Sequence, residues 1–144
     1  MPDAEPYDNL KLHTAHHRLL SPEQTRARAE KARAELVEFL RGCDVLILDA
    51  QYTDEEYRDH IGWGHGSLST AVALASDADV KELILFHHDP THNDAMIDKM
   101  ATLARTSAQQ SGKTLKVEPA QEGLEIVLNG AQIGTGTHAM VAKK

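Results

Sequence analysis

The sequence predicts an α/β fold assembled from βαβ units and closed by a C-terminal hairpin, and three patterns carry that prediction. Val45-Leu46-Ile47-Leu48 is a short uninterrupted apolar run, as expected of a parallel strand covered on both faces, and residues 80–86 read as a second buried strand. A helical period precedes the first run, and a second fills the space between the two. Asn129-Gly130, which supplies the positive φ angles of a two-residue turn, separates residues 124–128 from residues 131–134.

Taken in order, the first 20 residues show neither period, contain His13, His16 and His17, and read as a loop or an incomplete edge element. Ser21 is placed as an N-cap, with Pro22 at the first helical position and Gln24 able to reach back in a capping box. The helix runs to about Leu40, with Ala29, Ala32, Leu36, Val37 and Leu40 on its apolar stripe and Arg26/Glu30 and Lys31/Glu35 facing outward, and Gly42 ends it. The first strand follows and finishes at Asp49. A polar loop over residues 51–66 leads to a helix from Ser67 to about Ala78, then to the second strand, after which His87 stands. Asp89-Pro90 is placed to cap a further helix to about Ser107, and residues 113–118 alternate weakly as a third strand. The expectation is a single domain over residues 1–144, long enough to bury a core without disulfides.

Composition narrows the function. With 15 Lys+Arg against 22 Asp+Glu the net charge is -7, which excludes bulk electrostatic binding of nucleic acid or an anionic membrane. No stretch approaches the ~20 apolar residues of a membrane span. The single cysteine, Cys43, excludes a disulfide framework and a cysteine zinc cage, reads as a small core residue, and makes cytoplasm the expected location. Hydrophobic residues reach 41% with aromatics at only 4%, so the 9 histidines stand out.

Topology gathers some of them. Right-handed parallel βαβ units bring consecutive strand ends to one edge, so Asp49 and His87 emerge together, with His65 just before the crossover helix. Gly62-Trp63-Gly64-His65-Gly66-Ser67 puts three glycines around a histidine at a helix start, where Gly64, Gly66 and Ser67 are candidates for contacting a phosphate and His65 for donating a proton. A tight loop in which His65 bonds a carbonyl is the equally weighted alternative. Phe86-His87-His88-Asp89-Pro90-Thr91-His92-Asn93-Asp94 holds three histidines and two aspartates in nine residues, the donors of zinc, manganese and iron sites. His87 is the foremost ligand candidate there, with His88, Asp89 and His92 secondary; capping by Asp89 and a surface position for His92 and Asp94 are the alternatives. Asp49, ending a buried run, needs a donor or a cation, and either pairs with His65 or caps the turn through Gln51 or Tyr52. Glu55, Glu56 and Asp59 read as a solvated acidic face.

Asp49-Ala50-Gln51-Tyr52-Thr53, Gly62-Trp63-Gly64-His65 and Leu85-Phe86-His87-His88-Asp89-Pro90-Thr91-His92 together resemble the C-terminal half of the metallo-β-lactamase superfamily, in the branch of phosphodiesterase-like hydrolases related to tRNase Z. The order and spacing match over about residues 1–128. The resemblance implies half of an αββα sandwich, and two metals, usually zinc, activating a hydroxide between the halves. By the same resemblance Asp3, in Pro2-Asp3-Ala4-Glu5-Pro6, matches the aspartate that bridges the metals, and His87 the last ligand histidine. Asp49 matches the carboxylate paired with the histidine of a Gly-His-Ser-Thr segment, here His65; that pair would bind the scissile phosphate and protonate the leaving oxygen. Gly66 departs from the family's serine. The family's His-x-His-x-Asp-His motif is absent from the sequence, so the chain is expected to be the C-terminal half of a metal-dependent hydrolase of phosphodiester or related ester bonds. The implied partners are a phosphoester or small-molecule substrate and either the N-terminal half or a second copy. A truncated, non-catalytic α/β module that binds a partner chain or one metal is the alternative. A third reading, a small-ligand binder built on the helix start at Ser67, dispenses with His87.

Overall fold

A computed structural model of the chain describes residues 21–128. Asp3, His13, His16 and His17, the Asn129-Gly130 turn and the return arm expected after it lie outside these residues.

The first helix, α1 (Pro22–Leu40), opens with the reciprocal capping box: Gln24 N–H donates to Ser21 Oγ at 3.2 Å and Ser21 N–H to Gln24 Oε1 at 2.9 Å. Its covered residues include Ala29, Ala32, Leu36, Val37 and Leu40, the expected stripe, and Arg33 fastens it to the third helix through Asp77 at 2.6 Å. Gly42, at φ +69°, turns the chain into β1 (Val45–Asp49). The stretch expected to be a plain polar loop contains a one-turn helix, α2 (Asp54–Tyr57), stabilised by a second capping box between Thr53 and Glu56. Ser67 caps α3 (Leu68–Asp77), which leads to β2 (Glu82–Phe86).

The next helix, α4 (Asp94–Gln110), starts later than expected. Asn93 Oδ1 accepts the Met96 N–H at 3.0 Å, whereas Asp89 spends its carboxylate on the turn at Thr91, so Asn93 is the cap and Asp89 is not. The third strand, β3 (Lys116–Pro119), pairs with β2. Residues 124–128 form no strand.

The sheet is parallel, in the order β1-β2-β3, with Ile47 opposite Ile84 and Asp49 opposite Phe86. Alternation along each strand sends Leu46, Leu48, Leu83, Leu85 and Val117 toward a core shared with Val72 and Ala75 of α3 and Met100 and Ala104 of α4. The opposite face is different. Ile47 is 47% exposed, so β1 is an edge strand bare on one side rather than a strand covered on both, whereas Ile84 beside it on β2 is 3% exposed and that strand opens to solvent only at its end, Phe86. An apolar run records a preference for burial but cannot say how many layers the fold supplies. The result is a two-layer α/β unit with the residues expected at the strand ends gathered on one rim. Cys43 is partly buried against the core, as expected. Among the described residues no helix is long and apolar enough to cross a membrane.

Candidate active site

Three side chains meet at the carboxyl ends of β1 and β2. Asp49 Oδ2 lies 2.8 Å from His87 Nδ1 and 3.0 Å from His65 Nδ1, and the two imidazole rings are 4.7 Å apart between centroids. Asp49 Oδ1 accepts the Gly66 N–H at 2.8 Å and the Gln51 N–H at 3.3 Å. Both alternatives weighed for Asp49 therefore hold together: one oxygen caps the turn and the other binds the histidines. Burial alone would raise the Asp49 pKa, but the hydrogen bonds from Gly66, His65, His87 and Gln51 outweigh it and hold the carboxyl below its ordinary value.

An ionised carboxylate can only accept, so each imidazole meets it with Nδ1–H and keeps Nε2 for other work. His87 reaches this position with φ +64°, left-handed backbone that costs a non-glycine residue roughly 1 kcal/mol. Strain of this kind persists where neighbouring contacts fix the residue, and here the Asp49 bond does so.

Gly66 has a packing reason to be glycine. A Cβ there would sit 2.5 Å from the Asp49 carbonyl oxygen, a backbone atom with no room to yield. Its N–H is committed to Asp49, and the helix start behind it is committed too. Leu68 N–H donates to the Tyr52 carbonyl at 2.9 Å, Ser69 N–H to Asp54 Oδ1 at 3.2 Å, and Thr70 N–H to Ser67 Oγ at 3.4 Å. These bonds use the donors that a phosphate at the start of α3 would need, and Ser67 itself is buried. A ligand at this rim is left with the two imidazole edges and the Gly64 loop.

The secondary ligand candidates lie elsewhere in the network. His88 Nε2 lies 3.3 Å from the Ala120 carbonyl. Asp89 accepts the Thr91 hydroxyl at 2.6 Å and N–H at 2.8 Å, and its other oxygen accepts the Gln51 amide at 3.1 Å. His92, whose side chain is only 5% exposed, pairs through Nε2 with Glu56 Oε1 at 2.9 Å. Glu56 is thus no free member of a solvated face: hydrogen bonds from Thr53 and His92 outweigh its partial burial and lower its pKa. The Gln51–Asp89 and Glu56–His92 pairs tie the loop after β1 to the loop after β2, fixing the two segments that carry the site.

Sequence reasoning missed these braces and the ring packing beside them. Tyr52 stacks on His60 with centroids 4.2 Å apart, and His60 meets Trp63 edge-on at 4.8 Å. The capping box had a signal, Thr53-x-x-Glu56, that reads directly from the sequence. The ring packing had none, because its members are brought together by the turn over residues 58–63.

The same segment carries the chain's likeness to known proteins. Residues 27–88 match the beta-lactamase superfamily domain. Over 58 residues the chain is 40% identical to a Ribonuclease Z of Clostridium kluyveri, covering 40% of this chain and 19% of the relative. Over 73 residues it is 32% identical to a Ribonuclease Z of Halalkalibacterium halodurans, covering 51% of this chain and 23% of the relative. The chain thus spans about a fifth of the length of these curated relatives. No solved structure matches.

Proposed function

We propose, for a chain whose residues 27–88 form a segment of the beta-lactamase superfamily domain, that Asp49, His65 and His87 are part of the active site of a metal-dependent hydrolase of phosphodiester or related ester bonds. The observation that carries this reading is one carboxylate orienting two imidazoles whose Nε2 edges remain available. The residue types suit a divalent ion, since Asp49, His65 and His87 offer nitrogen and oxygen donors within 4.8 Å of one another; with Asp49 and His65 engaged with each other, His87 Nε2 is the donor left for it. Zinc is the first choice for such nitrogen and oxygen donors, with manganese or iron as alternatives.

His87 is the residue in this trio that would hold the ion, joined by Asp3 from outside the described residues. The ion would lower the pKa of a water molecule and polarise a phosphoryl oxygen. Asp49 keeps His65 in one tautomer and one orientation, with Nε2 facing the substrate side. Protonated at Nε2, His65 gives its proton to the leaving oxygen, and the neutral ring then regains one from water. Three donors are the fewest that a catalytic zinc keeps, so the remaining ligands come from outside the described residues, from a partner half or from a second copy.

Metal analysis and turnover of bis-p-nitrophenyl phosphate, with zinc or manganese supplied, test this reading. Turnover that needs the metal and falls about 100-fold in His65→Ala is expected, in line with the loss of a general acid. Metal binding without turnover favours the second reading, a non-catalytic metal-binding module, which the small donor count supports. Neither binding nor turnover, in the chain alone and in a polypeptide that also carries the rest of the relatives' length, overturns the hydrolase.

A further inference from the structure

The end of β1 and the two residues after it take hold of the turn after β2 at three successive points. Asp49 Oδ2 meets the His87 ring at 2.8 Å, the Ala50 N–H donates to the Phe86 carbonyl at 3.0 Å, and the Gln51 side-chain amide donates to Asp89 Oδ2 at 3.1 Å. His87 is thereby bracketed, with one anchor on the residue before it and another two residues after it. Between those anchors its backbone takes φ +64°, a conformation that a residue with a Cβ holds only under constraint.

Of the three anchors, Gln51 is the one that folding does not explain. Ala50 is fully buried and extends the pairing of β1 with β2 by one residue, and Asp49 caps its own turn. Gln51 is only 7% exposed, yet its Oε1 is buried with no hydrogen-bond partner among the described residues. Charge fixes which end of the amide faces Asp89. The Thr91 hydroxyl and N–H, and after them the Gln51 amide, hold the Asp89 carboxyl below its ordinary value, so it is ionised and can only accept. Nε2 must face it, and Oε1 is left in the interior. An unpaired buried carbonyl oxygen costs stability, and an aliphatic side chain of the same size would carry no such cost. Asp89 itself is only partly covered, so water would satisfy it without Gln51. The amide therefore serves something other than stability.

We propose that Gln51 is a positioning residue: acting through Asp89, its amide keeps His87 in the left-handed conformation that sets the ring against Asp49 and leaves Nε2 for a divalent ion. The proposal rests on the reading above that His87 would hold the ion, and it adds the side chain that tunes the site's affinity for it. Groups that orient a metal-ligating histidine without touching the metal change its affinity by about 10- to 100-fold. Glutamine suits the position, because a carboxylate there would meet Asp89 oxygen against oxygen and asparagine is shorter by a methylene.

The test compares the full wild-type chain with Gln51→Leu, with Gln51→Glu, and with Gln51→Glu combined with Asp89→Asn. Zinc alone is titrated by calorimetry, and the His87 tautomer is read without metal from long-range proton–nitrogen NMR correlations, assigned by their loss in His87→Gln. In the wild type His87 should be the Nδ1–H tautomer. Gln51→Leu should keep the thermal unfolding midpoint, bind zinc about tenfold more weakly and lose the fixed tautomer. Gln51→Glu should lose both readouts, and adding Asp89→Asn, which turns the hydrogen bond around, should recover part of both. Met100→Ala, which weakens the core and touches none of these bonds, controls for stability. Wild-type zinc affinity and tautomer in Gln51→Leu overturn the role of Gln51 and leave the metal reading standing. An unfolding midpoint that falls in Gln51→Leu as it does in Met100→Ala, with the same loss of zinc affinity in both, makes the effect one of stability and also overturns that role. A wild type that binds no zinc overturns the metal reading of His87, and the tautomer in Gln51→Leu, lost or kept, then upholds or overturns the positioning of His87 by itself.

Discussion

At the residue scale, Asp49 does more than any other side chain at the rim, since its two oxygens hold two histidines and two backbone N–H groups. These bonds lower its pKa in the folded state, so the unfolded chain binds the proton more readily. Stability from Asp49 is therefore present above the unfolded carboxyl value of about 3.9 and is lost as pH falls through it toward the lower folded value. Thermal unfolding followed between about pH 5 and pH 3 should show the midpoint dropping with acid. In Asp49→Asn that dependence should be shallower, because one of the depressed carboxyls is gone. Gly66 gives the second residue-scale expectation. In Gly66→Ala the new methyl would press on the Asp49 carbonyl oxygen from 2.5 Å, and the chain should lose about 1–3 kcal/mol by urea unfolding, as overpacked sites do.

At the scale of elements, a four-residue helix such as α2 has too few internal hydrogen bonds to stand alone and depends on its cap. Glu56 closes that cap and also receives His92 from the loop after β2, so one side chain couples a helix start to the neighbouring strand end. Glu56→Ala should cost about 1–3 kcal/mol, because it leaves the buried His92 ring and the Thr53 N–H without their acceptor. Glu56→Gln, which keeps an acceptor oxygen, should recover part of that loss in the same denaturant titration. The contrast between α1 and α4 belongs here too. Both begin at residues with side-chain oxygens, yet only one of the two starts was legible. Ser21-Pro22 has no competitor, whereas Asp89-Pro90 looked like a second helix start until the carboxylate proved to be engaged by Thr91 and Gln51, leaving Asn93 to cap.

At the scale of the whole molecule, one face of the sheet carries the helices, while on the other Ile84 is buried but Ile47 at the β1 edge and Phe86 at the end of β2 stand in solvent. This asymmetry predicts unequal responses to substitution. Leu85→Ala, at a residue 2% exposed, should cost about 2–5 kcal/mol, while Ile47→Thr on the bare face should stay within about 0.5 kcal/mol. Equal losses in urea unfolding would mean that the outer face is covered in solution. The ion pairs that join elements, Arg33–Asp77 and Lys113–Asp79 among them, are exposed and contribute little beside the apolar core.

By itself the sequence determined the order of α1, β1, α3, β2 and α4, because hydrophobic period and capping chemistry are local properties written in neighbouring residues. It also determined the convergence of Asp49, His65 and His87, because strands joined by a βαβ crossover run parallel and so end at the same edge. Tertiary structure alone decided how each group is used. Which oxygen of Asp49 meets which histidine, why residue 66 has no side chain, how the Glu56–His92 pair braces the rim, and how Tyr52, His60 and Trp63 line up are contacts between residues distant in sequence or turned by a loop. Such contacts depend on distances of a few tenths of an ångström, and no local pattern encodes those.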